Sequence, residues 1–133
     1  MLLGGNPDES QPGFFYPTTI VADLPNDNAL VQVEQFGPAL PIVTYSNIDE
    51  AVEMANAVDV GLGASVWSSD KTKAREVAER LEAGTAWINS HGGVHPMVPF
   101  GGNKQSGLGR ENGKAAIEYF TQLKSVYVAM EPI

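Results

Sequence analysis

Apolar positions along the chain repeat with two periods, and the switches between them mark alternating strands and helices. Ala39 to Tyr45 alternates and predicts a strand. Asn47-Ile-Asp-Glu50 follows with the spacing of a capping box. Behind it, Ile48, Ala51, Val52, Ala55 and Val58 fall on one helical face. Gly61 and Gly63 punctuate the chain, and Leu62 to Trp67 predicts a second strand. Asp70 caps a second helix with Ala74, Val77, Ala78 and Leu81 inward, and Glu82-Ala83-Gly84 stops it. Thr85 to Asn89 is short and mostly apolar, as buried parallel strands are. A β-α-β-α-β order is a parallel-sheet signature with right-handed crossovers, so the predicted fold class is α/β.

The flanks are less regular. Leu2-Leu3-Gly4-Gly5 reads as the stub of a strand, and residues 6–13 as a turn-rich loop. Phe14 to Tyr16 and Thr18 to Val21 are aromatic or β-branched and hence extended, with Pro17 at an edge or bend. Asn28 caps a short helix over Ala29 to Glu34, which Phe36-Gly37-Pro38 ends. Near the other end, the pattern predicts a helix from Arg110 to Phe120 with Ala116, Ile117 and Phe120 inward. A final strand over Lys124 to Met130 follows, and no internal repeat is present.

Between the third strand and that helix, His91 to Gly109 is 19 residues with neither periodicity. A loop of this length inside a compact domain is usually functional or disordered. Val94, Met97, Val98 and Phe100 predict that this one is ordered and packed. Its second half, Pro99-Phe-Gly-Gly-Asn-Lys-Gln-Ser-Gly-Leu-Gly-Arg-Glu111, holds four glycines in nine positions, which permits close backbone approach.

Composition narrows the classes. At 133 residues the chain is one domain's worth of sequence, and 43% hydrophobic with 18% charged residues is globular. A net charge of -8 argues against nucleic acid and anionic membranes as partners, since both need clustered Lys and Arg. No apolar run approaches a membrane span and no signal-peptide core follows Met1, so the expected location is cytoplasmic. Zero cysteine excludes disulfides, Cys-ligated metals and thiol nucleophiles within these residues.

Several candidate sites compete. Gly107 to Gly113 fits a loosened phosphate-loop fingerprint, but no strand precedes its first glycine, and Glu111 would repel phosphate. His91 and His95 are four apart, yet Gly92 and Gly93 argue against the helix that metal binding at that spacing needs. They read as packing or pocket-lining residues, and no metal site is expected. No Ser/His/Asp constellation is marked. Glu34 admits two readings: a solvated carboxylate at a helix end, or an acceptor for ligand hydroxyls with Phe36 as an apolar wall. A carboxylate can take both donors of a diol, but spacing alone leaves the two readings open.

Together these segments resemble the C-terminal portion of an NAD(P)-dependent aldehyde dehydrogenase. The resemblance rests on Gly4-Gly5, Gly13, Phe15 and Pro17-Thr18, then Glu34-Gln-Phe-Gly-Pro38, Gly61-Leu62 and Gly84-Thr-Ala-Trp-Ile-Asn89. It is completed by Pro99-Phe-Gly-Gly, Lys104, Ser106-Gly107 and Gly109-Arg-Glu111, and it runs almost end to end. The resemblance implies a cofactor, NAD or NADP, whose nicotinamide ribose is held by Glu34 while Phe36 packs nearby. It nominates Val94 and Phe100, and more weakly His91 and His95, as lining of the aldehyde tunnel. Lys104, Arg110 and Glu111 look structural in that family.

The same resemblance implies a domain division: residues 1–122 as part of the catalytic domain and 123–133 as an oligomerisation strand and tail. The family's nucleophile is a cysteine thiolate; the hemithioacetal gives hydride to NAD(P), and a glutamate-activated water hydrolyses the thioester. The cysteine, the base and the dinucleotide-binding fold lie upstream of the matching segment. The expected partners are therefore the missing N-terminal part of the same enzyme, an aldehyde substrate in the parent, and identical subunits in a homo-oligomer. The chain alone is expected to be inactive. The rival reading is a non-catalytic assembly module pairing through its last strand. A weaker third reading is an independent nucleotide binder.

Overall fold

The computed structural model describes residues 1–131 as a mixed α/β arrangement with parallel strands. Strand β1 (Thr19–Ala22) pairs in parallel with β2 (Ala39–Ile42), matching Thr19 to Ala39 and Ala22 to Ile42. The connection carries α1 (Ala29–Gln32), which Asn28 starts by accepting from the Leu30 amide at 2.9 Å. The expected N-terminal stub is a single antiparallel bridge, Leu3 to Ile20.

Helix α2 (Ile48–Asn56) begins where the capping box predicts, with the Asn47 side chain accepting from the Glu50 amide at 3.0 Å. The returning Glu50 carboxylate takes the amide of Ser46, one residue before the cap, at 2.7 Å. Helix α3 (Lys71–Arg80) starts with Asp70 accepting from the Thr72 and Lys73 amides, each at 3.1 Å. The two parallel strands around α3, β4 (Gly63–Val66) and β5 (Thr85–Ile88), pair Ser65 with Trp87 and Val66 with Ile88.

Two expectations about the sheet are corrected. The predicted strands β2, β4 and β5 do not form one sheet among the described residues: β2 joins β1, and β4 joins β5. The stretch before Gly63 separates as β3 (Val60–Gly61), antiparallel to β6 (Asn103–Lys104) within the glycine-rich loop. Glycine spacing hid β6, because its two residues carry no periodicity of their own.

The C-terminal elements also differ. Arg110 and Glu111 do not open a helix; Glu111 is bridged antiparallel to Phe100, with N–H to O distances of 2.8 and 2.7 Å. Asn112 and Gly113 then take positive φ, 62° and 59°, and the turns that follow, Lys114–Phe120, are 3-10. Ile117 and Phe120, expected inward, are exposed. Residues 124–130 make no strand ladder among the described residues, and their apolar side chains Val126, Tyr127, Val128 and Met130 are exposed. The last two residues of the proposed tail lie outside the described ones.

Burial is thin. Among the described residues Val52 on α2 and Ala74 on α3 are the buried hydrophobic side chains, and Ile48, expected to face inward, is about half open. No helix among the described residues is long and apolar enough to cross a membrane. One contact between segments is tight: a Cβ on Gly84 would fall on the carbonyl oxygen of Gly101. Gly84→Ala should therefore push the glycine-rich loop off the β5 entry and cost about 3 kcal/mol, the upper end of overpacking. Thermal unfolding, with limited proteolysis reporting on the loop, measures this; an unchanged transition would refute it.

Candidate functional site

The glycine-rich loop is a closed unit pinned at several points. Its neck is the Phe100–Glu111 bridge. Inside the neck the Arg110 guanidinium donates to the carbonyls of Gly102 and Gly109, each at 2.8 Å, and to the Asn103 side-chain oxygen at 2.6 Å. Outward, β6 pairs with β3, and the Gly61 amide donates to Ser106 Oγ at 2.9 Å.

Lys104 makes the main attachment. It adopts φ 53°, and its ammonium donates to the carbonyls of Asn56 at 2.6 Å and Val58 at 3.0 Å. Those carbonyls lie at the C-terminal end of α2, where a cation meets both unpaired acceptors and the negative end of the helix dipole. Glu82 completes the site at 2.9 Å. Lys104 thus ties the loop to the end of α2, whereas Arg110 works within its own loop.

Beside this attachment lies an open hollow of about 190 Å³, lined by Glu34, Asn56, Gly61, Leu62, Glu82 and Ser106 among others. The Glu34 carboxylate makes no hydrogen bond or ion pair among the described residues, so its oxygens remain available to donors. Phe36, two residues on, is 95% exposed. Phe36 does not line the hollow, whereas the Glu34 carboxylate does and can accept the two hydroxyls of a diol. Glu34 stands just beyond the end of α1 rather than within it, because Val33 is already extended.

The other sequence candidates lie elsewhere and are not brought to one cavity. His91 Nδ1 lies 2.5 Å from Ser65 Oγ, and its ring packs on Trp87 with centroids 5.2 Å apart, tilted by 58°. Trp87 Nε1 donates to the Gly93 carbonyl at 2.8 Å, fixing the turn beyond His91. His95 Nδ1 accepts from the Met97 amide at 3.1 Å, in a turn closed by Val98 N–H to the His95 carbonyl at 3.0 Å. Val94 is half exposed and Phe100 partly buried at the neck. Neither the Glu34 hollow nor a second, about 630 Å³ groove between α2 and α3 is lined by Val94, Phe100, His91 or His95. Among the described residues no three His, Asp or Glu side chains converge as a metal site.

Ser65, Trp87 and Ser106 were not legible as site residues. The signal for Ser65 is the register, which places it opposite Trp87 only once β4 and β5 are known to be parallel neighbours. Two ionisable groups outside these clusters have shifted pKa values. Asp8 is lowered by hydrogen bonds from the Ser10 hydroxyl and amide, and Arg75 is raised by its hydrogen bond to Glu79.

Comparison with known proteins adds a lineage. The model of the aldehyde dehydrogenase family matches residues 1–126. The betaine aldehyde dehydrogenase of Cereibacter sphaeroides is 44% identical over 133 residues, all of this chain and 27% of the relative. That of Rhizobium etli is 42% identical over 131 residues, 98% of this chain and 27% of the relative. Among solved structures, an aldehyde dehydrogenase from Mycobacterium tuberculosis complexed with NAD+ superposes with a TM-score of 0.89 at 40% identity, covering 99% of this chain and 27% of that one. A betaine aldehyde dehydrogenase from Staphylococcus aureus with NAD+ gives 0.82 at 37% identity, covering 90% and 24%. The chain thus spans about a quarter of the length of the curated relatives it matches.

The Lys104 attachment can be tested directly. Hydrogen bonds to a charged group contribute about 1.5–3 kcal/mol, and losing this one leaves helix-end carbonyls without their donor. Lys104→Met should destabilise the fold by about 2–3 kcal/mol. Faster amide exchange at Asn103 to Ser106 than in the rest of the chain should accompany the loss, and uniform exchange would count against the attachment.

Proposed function

Because the chain belongs to the aldehyde dehydrogenase family, we propose that it is the C-terminal part of an enzyme that oxidises an aldehyde to a carboxylate with NAD or NADP. The observation that carries this reading is the Glu34 carboxylate, unpaired among the described residues and lining its hollow, with Phe36 exposed two residues on. Glu34 would accept the two hydroxyls of the nicotinamide ribose, and Phe36 would lie against the nicotinamide. The cofactor, when bound, supplies the hydride acceptor. NAD+ in the related structures from M. tuberculosis and S. aureus supports that choice.

The remaining chemistry belongs to residues outside this chain, which contains no cysteine. A nucleophile, its base and the dinucleotide-binding fold would come from the upstream three quarters of the enzyme. Val94 and Phe100, with His91 and His95, would form one wall of the aldehyde tunnel. The glycine-rich loop would hold that wall in place through Lys104 and Arg110. Exposed apolar side chains such as Leu40, Ile48, Leu62 and Trp67 are the surface that such a larger body would cover.

A second reading is favoured by one observation. Residues 124–130 offer an alternating, apolar and unpaired segment, which suits strand addition to another subunit. In the larger enzyme this segment would build a homo-oligomer; alone, it would make the chain an assembly module.

Two measurements test the main reading. The pure 133-residue chain, given NAD or NADP and an aldehyde, should produce no reduced cofactor, and turnover would overturn the reading. In the complete enzyme carrying this sequence, Glu34→Gln should lower kcat/KM for the cofactor about ten- to a hundredfold, from the loss of charge-assisted hydrogen bonds. An unchanged value would remove Glu34 from the site.

A further inference from the structure

We propose that the free edge of β4, with the groove beside it, is a docking site for an extended apolar segment from the upstream part of the same enzyme. The inference rests on the reading that the chain belongs to a longer enzyme: the C. sphaeroides relative matches all of the chain, which spans 27% of that relative.

Strand β4 has one partner among the described residues, β5. The Thr85 amide donates to the Leu62 carbonyl at 3.2 Å, and the Asn89 amide to the Val66 carbonyl at 2.9 Å. In a parallel ladder alternate residues face the partner, so Ala64 and Val66 carry the bonds to β5. Ser65, between them, turns its N–H and C=O away, and neither has a backbone partner among the described residues. An edge of this kind is a template for another strand.

The groove of about 630 Å³ opens on that edge. Its lining includes residues 64–68, consecutive in and just after β4, and no residue of β5. Successive side chains of a strand point to opposite faces, so a wall of consecutive residues is an edge rather than a face. Across the groove stand Tyr45 and, from α2, Ile48, Ala51, Val52 and Ala55, an apolar wall on which Tyr45 and Ile48 are half exposed. The charged lining residues, Lys73, Glu76 and Arg80, all come from α3. Of these, Lys73 is paired with Asp70 at 3.8 Å and Arg80 with Asp49 at 2.7 Å. An unpaired backbone edge beside an apolar wall fits a strand whose side chains toward α2 are aliphatic or β-branched. A helix in the same place would bury the Ser65 amide and carbonyl without partners. A second copy of this chain is a poorer occupant, because each copy carries a net charge of -8 and the two would repel.

Amide hydrogen exchange, measured on the 133-residue chain and on the complete enzyme carrying this sequence, tests the edge. In the chain alone the Ser65 amide should exchange about a hundredfold faster than those of Ala64 and Val66. In the complete enzyme all three should be equally slow. A Ser65 amide that stays fast in the complete enzyme overturns the proposal, whatever the chain alone shows, and so does one already slow in the chain alone. Ile48→Asp places an acid at the first helical position, so the unfolding temperature of the chain alone should hold or rise. That of the complete enzyme should fall, because the charge would be buried under the docked segment. Equal effects in both would show the groove to be unoccupied. A photoreactive p-benzoylphenylalanine in place of Ile48 identifies the occupant. Cross-linking to an upstream segment of the same polypeptide is expected, and a linked dimer would assign the groove to a second copy and refute the inference. If the complete enzyme turns over no aldehyde, the proposed function fails instead, and exchange at Ser65 still judges the edge.

Discussion

The last residue of α2 is where the molecule is joined. The Asn56 side chain donates to the Arg80 carbonyl and accepts from the Glu82 amide, both at 2.9 Å, so the ends of α2 and α3 are tied together. Its backbone carbonyl receives the Lys104 ammonium, which brings the glycine-rich loop to the same point. One residue therefore fixes two helices and a loop from distant parts of the sequence. The Glu34 hollow is built on this junction, since Asn56, Glu82 and Ser106 all line it. A shift at Asn56 would move the hollow's walls together.

Much of this was legible in the sequence, and what was not has identifiable causes. Asn28, Asn47 and Asp70 each cap the helix that their spacing announces, because capping is a contact between residues two or three apart. The strands β2, β4 and β5 stand near their expected places for a similar reason: alternation is a local property. Pairing is not local. Nothing in the pattern says that β2 takes β1 as its neighbour, or that Gly61 turns to meet Asn103. The error at Arg110 and Glu111 is of the same kind, since Glu111, a good helix-former, is drawn into a bridge with Phe100 by closure of the loop.

The candidate site divides along that line too. Glu34 and Phe36 were identified as a motif, and the structure adds that the carboxylate is unpaired and beside a hollow. His91 was nominated only as a wall. Its hydrogen-bond partner, Ser65, is 26 residues away and becomes visible through strand register alone. Residues whose roles come from nonlocal contacts leave no trace in spacing, however regular the surrounding pattern.

Thin burial explains why asparagine recurs at the joints. With Val52 and Ala74 the buried apolar side chains, little hydrophobic free energy is available within the chain to define how its elements meet. Directional bonds must supply that definition. A carboxamide carries a donor and an acceptor on one short side chain, so it can accept an amide and supply a carbonyl at once. Asn56 does this between the two helix ends, and Asn89 does it between β5 and Ser68. Aspartate could accept but not donate at either place, leaving a carbonyl facing an unpartnered charge. The geometry that presents Glu34 and His91 is thus set by paired amides, while the apolar faces around them remain open for a larger body to cover.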